Sequence, residues 1–100
     1  MSASLISVVT GDLVGSTGYP AHAVDAAMRV LRNAAELIGT WQSPPRNTRF
    51  TRFRGDGWQI VLAEPRLSLR AAVVIQGRLI ALGQQSRFSI GIGPAETLGS

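Results

Sequence analysis

A chain of 100 residues, 45% of them hydrophobic and 16% charged, can bury roughly two-thirds of its unfolded surface, so one packed domain spanning residues 1–100 is expected. No apolar run approaches the roughly 20 residues that cross a bilayer, and no basic segment with a following apolar stretch marks a signal peptide. No membrane partner is therefore expected, and a cytoplasmic location is the default. Cysteine is absent, which excludes disulfides, thiolate metal sites and thiol nucleophiles. The net charge of +4 comes from arginine alone, because the chain has no lysine. Arginine offers phosphate a planar two-pronged donor, so this balance permits a nucleotide partner without requiring one.

Leu5-Ile6-Ser7-Val8-Val9-Thr10 is a β-branched run that stops at Gly11 and predicts the first strand. Asp12 to Pro20, rich in glycine and hydroxyl residues, predicts a loop. Ala21–Thr40 predicts a helix, with Val24, Ala27, Met28, Leu31, Ala35 and Ile38 at helical spacing on one face. Asp25, Arg29, Arg32 and Glu36 fall on the other face, at spacings that favour pairing. Trp41 to Asn47, with Pro44-Pro45, is a stiff connector.

Thr48 to Arg54 and Trp58 to Ala63 alternate as strands around Gly55-Asp56-Gly57, a hairpin signal. Pro65 opens a second helix, Arg66 to about Leu82, with Leu67, Ala71, Val74, Ile75 and Leu82 as its apolar face. Gly77 inside this helix costs about 1 kcal/mol relative to alanine, which points to close packing there. Arg87 to Gly93 predicts the last strand, with Phe88, Ile90 and Ile92 on one face. An irregular tail is expected over residues 93–100.

The order strand, helix, strand, strand, helix, strand predicts an α+β fold of the ferredoxin-like βαββαβ type, a four-stranded antiparallel sheet with two helices on one face. In that arrangement the first and third strands lie side by side, so Asp12 and Asp56 reach the same end of the sheet. The other four acidic residues have ordinary explanations. Asp25 and Glu36 sit on a polar helix face, Glu64 precedes a helix and favours its dipole, and Glu96 lies in the tail. Two carboxylates close together repel unless a cation separates them. An all-oxygen site suits Mg2+ or Mn2+ better than zinc. The small residues Gly15, Ser16 and Thr17 before the first helix predict either a phosphate-binding set of backbone amides or a helix N-cap. His22, alone on a helix surface, receives no role. Trp41 and Trp58 are expected in the core or at an interface.

Thr10-Gly11-Asp12-Leu13-Val14-Gly15-Ser16-Thr17 and Arg52-Phe53-Arg54-Gly55-Asp56-Gly57 resemble the two metal motifs of class III nucleotidyl (adenylyl and guanylyl) cyclases. The spacing of 44 positions from Asp12 to Asp56 is similar to that family's, and the resemblance covers most of Leu5 to Gly93. Gly11 before Asp12, and Gln59 after Gly57-Trp58, look closer to its SatD-like bacterial branch. The resemblance implies a palm in which Asp12 and Asp56, with Leu13 beside them, hold a two-ion Mg2+ or Mn2+ site. Val14, Gly15, Ser16 and Thr17 would cradle the phosphates of a nucleoside triphosphate. Arg52 stands where adenylyl members carry a base-selecting lysine, which makes it base-proximal. The family's later segment, with a base-reading aspartate and a transition-state asparagine and arginine, has no counterpart among these residues. The expectation is therefore cyclase chemistry completed by a missing segment or by a partner, a homodimer by analogy.

Three other readings follow from the same residues. The metal edge could serve a non-catalytic nucleotide-sensing or dimerising module. A basic ferredoxin-like sheet could bind RNA, but the aromatics expected on the two central strands are missing apart from Trp58, so nucleic acid is not the expected partner. The two Gly-Asp turns could also be coincidental turn formers.

Overall fold

The computed structural model describes residues 4–15, 18–53 and 55–95. Strand β1 (Leu5–Leu13) is followed by helix α1 (Ala21–Thr40), a short strand β2 (Thr51–Arg52), strand β3 (Gly57–Leu62), helix α2 (Ser68–Ile80) and strand β4 (Ser86–Pro94). The strands form one sheet in the order β2-β3-β1-β4, and every neighbouring pair is antiparallel. This is the expected ferredoxin-like order, with β1 and β3 in the middle.

Period-two alternation decides which side of the sheet is covered. Val9 and Leu13 of β1 are buried, as are Trp58, Ile60 and Leu62 of β3. They join Ala27, Met28, Leu31, Ala34, Ala35 and Ile38 of α1, and Ala71, Ile75 and Leu79 of α2, in one core. Ile6, Val8 and Val61, of opposite parity, stay half-buried on the uncovered face. Val24 of α1 packs against the core from its margin, while Asp25, Arg29, Arg32 and Glu36 face outward. Asp25 takes its ion pair from Arg52 on β2 at 2.9 Å, not from its own helix.

Several boundaries differ from the sequence reading. β1 continues through Gly11 and Asp12 to Leu13, because β3 and β4 both supply partners to its last residues. β2 shrinks to two residues: the Thr48 carbonyl still accepts from the Val61 N–H at 2.7 Å, but Arg49 takes φ +53°, which interrupts the extended backbone before Thr51. Pro65–Leu67 forms a turn of 3-10 helix before α2. α2 ends at Ile80, so Leu79 takes the buried position and Leu82 is 45% exposed. Gly77 has open space where a side chain would stand, so close packing does not account for it. β4 includes Gly93 and Pro94. Gln76 clamps the start of that strand, accepting from the Ser86 N–H at 2.9 Å and donating to the Ser86 carbonyl at 3.0 Å. Farther along, Ile90 and Ile92 remain 40% and 54% exposed. The expected tail from Glu96 to Ser100, and Arg54 in the hairpin, lie outside the described residues.

Candidate functional site

The register of the two central strands brings the Gly-Asp segments together. Asp12 pairs with Gly57 across β1 and β3, and the Leu13 N–H donates to the Asp56 carbonyl at 3.2 Å. On its other side Asp12 pairs with Arg87 of β4. Asp12 is exposed and Asp56 half-buried. Their backbones therefore meet at one end of the sheet, as the topology predicts. Among the described residues no group of three or more His, Cys, Asp or Glu side chains forms a metal cage. The donor set still fits Mg2+ or Mn2+, which keep several waters and are commonly held by one or two carboxylates plus substrate phosphates.

A chain of contacts fixes the Asp12 backbone. Trp58 is fully buried, and its indole N–H donates to Ser86 Oγ at 3.0 Å. Ser86 Oγ lies 3.1 Å from the Asp12 carbonyl and 2.8 Å from the Arg87 carbonyl, either of which can take its proton. Phe88 meets the Trp58 ring edge-on, with centroids 5.6 Å apart. Gly11 makes this possible. A Cβ there would lie 2.7 Å from Trp58 Cε2 and 2.7 Å from Ser86 Oγ, and would also run into the Arg87 carbonyl. A shallow cavity of about 170 Å³ opens here, lined by Thr10, Gly11, Asp12, Phe53, Trp58, Arg87, Phe88 and Ser89.

The remaining expected residues divide. The Leu13 side chain is buried at 2% exposure, so the polar group it can offer is its backbone. The Leu13 and Val14 N–H groups are already engaged, by Asp56 and by the Gln85 carbonyl at 2.9 Å, as is the Gly18 N–H by the Gly15 carbonyl at 3.2 Å. Gly15 has φ +69°, a left-handed turn that suits glycine. Ser16 and Thr17 lie outside the described residues. The N-cap position of α1 is Pro20, without a side-chain cap bond. Arg52 directs its guanidinium to Asp25 Oδ1 at 2.9 Å and to the Gly55 carbonyl at 3.3 Å. It thereby braces the hairpin against α1.

Arg87 is the residue the sequence reading did not promote. It stands directly across β4 from Asp12, lines the same cavity, and makes no ion pair among the described residues. The signal was available only as register, because Arg87 is 75 positions from Asp12 in the chain. No helix among the described residues is long and apolar enough to cross a membrane. Comparison with family models and with curated protein sequences finds no match to this chain.

Proposed function

We propose that this chain is a cyclase-type palm that binds a divalent cation and a nucleoside triphosphate at the β1–β3 end of its sheet. The observation that carries the reading is the pairing of Asp12 with Gly57, which sets the second aspartate, Asp56, beside the first on the two central antiparallel strands. Asp12 and Asp56 are the residues that would hold Mg2+ or Mn2+. When bound, the two ions supply activation of a ribose 3′-hydroxyl and offset the triphosphate charge, the requirements for forming a cyclic nucleotide and pyrophosphate.

The chain's own residues supply orientation. The Trp58–Ser86 pair holds the backbone at Asp12, and the Gly15 turn presents backbone toward the phosphates. Arg87 offers a guanidinium across the strand from Asp12. A second copy, or further sequence, is needed for the base-reading and transition-state groups. The reading that ranks second is a non-catalytic nucleotide-sensing or dimerisation module, which binds without turnover.

Pyrophosphate release from ATP and GTP in Mn2+ and Mg2+ tests both. Release abolished by Asp12→Ala and by Asp56→Ala supports the cyclase. Metal-dependent nucleotide binding without release supports the sensing module. Binding that ignores both substitutions sinks the proposal.

A further inference from the structure

A second polar cavity lies between α1 and the connector that leads into β2. It has a volume of about 390 Å³, and its wall includes Arg32 and Glu36 of α1 with Arg46, Asn47, Arg49 and Phe50 of the connector. Arg46, Asn47 and Arg49 also border a neighbouring cavity that reaches Ile6 on the uncovered face. Thr48 in this wall accepts from the Val61 N–H, and Val61 pairs with Val8, four positions from Asp12 on β1, about 13 Å at a strand rise near 3.3 Å. This cavity shares no described lining residue with the one at Asp12, so the two sites are separate.

Three guanidinium groups share this wall with one carboxylate, Glu36. The two ion pairs among the described residues use Arg52 and Arg66 instead; Arg46 feels Glu64 electrostatically and helps hold that carboxyl down, but none of Arg32, Arg46 and Arg49 is in an ion pair there. The backbone that carries them is anchored at successive points. The Arg46 N–H donates to the Gly39 carbonyl at 3.1 Å, and the Val61 N–H donates to the Thr48 carbonyl at 2.7 Å. The buried Thr48 hydroxyl donates to Ala35. Gly39 lacks a side chain where a Cβ would strike the Arg46 carbonyl, so the connector can run against the helix. Arg49 has φ +53°, a left-handed conformation uncommon for a residue with a Cβ. Its N–H donates to Asn47 Oδ1 at 2.7 Å, which holds that conformation. Arg32 lies over the Phe50 ring, 5.8 Å from its centroid. Such held, uncommon backbone conformations concentrate at ligand clamps.

We infer that this cavity binds a phosphate group, free or carried by a small phosphorylated metabolite, through Arg32, Arg46 and Arg49. Guanidinium forks match phosphate oxygens in pairs, and the anchored connector spares most of the ordering cost on binding. Glu36 opposes a dianion and disfavours ligands that carry further negative charge on that side.

The test is an amide and arginine side-chain NMR titration of the full chain with inorganic phosphate. It is run in EDTA, which removes divalent ions from the Asp12 edge, and at constant ionic strength. A second arm uses a sugar phosphate and a third a single-stranded RNA oligonucleotide. Saturable shifts confined to Arg46–Phe50 and Arg32 are expected. Arg46→Gln, and separately Arg49→Gly, which suits the left-handed backbone, should each weaken binding about tenfold, the loss of one charge-assisted pair. Arg78→Gln, on exposed α2 surface, and Asp12→Asn should leave it unchanged. Tighter binding of the sugar phosphate than of phosphate identifies a metabolite as the source; equal binding identifies the free ion. Shifts that do not saturate, variants that bind as wild type does, or saturation by RNA alone overturn the inference.

Discussion

Gly11 and Trp58 are in contact across the two central strands, closely enough that a Cβ on the glycine would sit 2.7 Å from the indole Cε2. The indole can retreat only at a cost, because it is fully buried and its N–H is held by Ser86. Gly11→Ala should therefore destabilise the fold by about 1–3 kcal/mol, the usual range for forcing extra volume into a packed core. Because Trp58 must move, its fluorescence and near-ultraviolet circular dichroism should change in the native baseline. An unchanged spectrum with unchanged stability would show that the contact is relieved at no cost.

Gly77 makes the opposite case. It is exposed within α2, and nothing lies within 4 Å of where its Cβ would be. Alanine removes the backbone entropy cost and meets no atom, so Gly77→Ala should stabilise by about 1 kcal/mol. For a domain this size that corresponds to a rise in Tm of about 4–8 °C, measurable by thermal unfolding. A fall in Tm would mean that the glycine serves a contact outside this chain.

The periodic elements were legible because burial enforces period. α1 has the bounds that its apolar stripe predicts, and β3 alternates as expected, whereas on β4 the alternation is lost beyond Phe88, where Ile90 and Ile92 stay exposed. The end-to-end meeting of Asp12 and Asp56 was legible through topology alone. Three features were not. The two-residue β2 reflects the left-handed backbone of Arg49, φ +53°, which propensity does not anticipate at an arginine. The space around Gly77 depends on where α2 lies, not on what it contains. Arg87 gains significance only from its cross-strand partner, Asp12.

Glu64 makes stability depend on pH. It accepts from the Ser43 N–H at 2.7 Å and from Arg66 at 2.9 Å. Chiefly the Ser43 amide, and then Arg66, hold its carboxyl below the ordinary value near 4.5. A lowered folded-state value means the contribution is present above pH 4.5 and fades as the pH falls through the folded value. Glu64→Gln should therefore be less stable than wild type in neutral denaturation curves, and the gap should close as the pH falls below the lowered folded value. A side-chain carboxyl titration gives the independent check: a midpoint at or above the ordinary value would contradict the assignment.

Arg87 separates metal binding from nucleotide binding at the proposed site. A guanidinium across the strand from Asp12 repels a divalent cation arriving alone, whereas it attracts the triphosphate of a nucleotide. Removing it should push the two affinities in opposite directions. The size is set by a screened interaction near the surface, so a change of about three- to tenfold in each is expected at low salt, shrinking as salt is raised. Arg87→Gln should bind Mn2+ more tightly in the absence of nucleotide, followed by paramagnetic broadening at Asp12 and Asp56. The same variant should bind a non-hydrolysable triphosphate more weakly, followed by calorimetry. If both affinities fall together, Arg87 supports the fold of this edge instead. If neither moves, the cation and the phosphates lie away from β4, and the proposed site must shift toward the β1–β3 hairpin side.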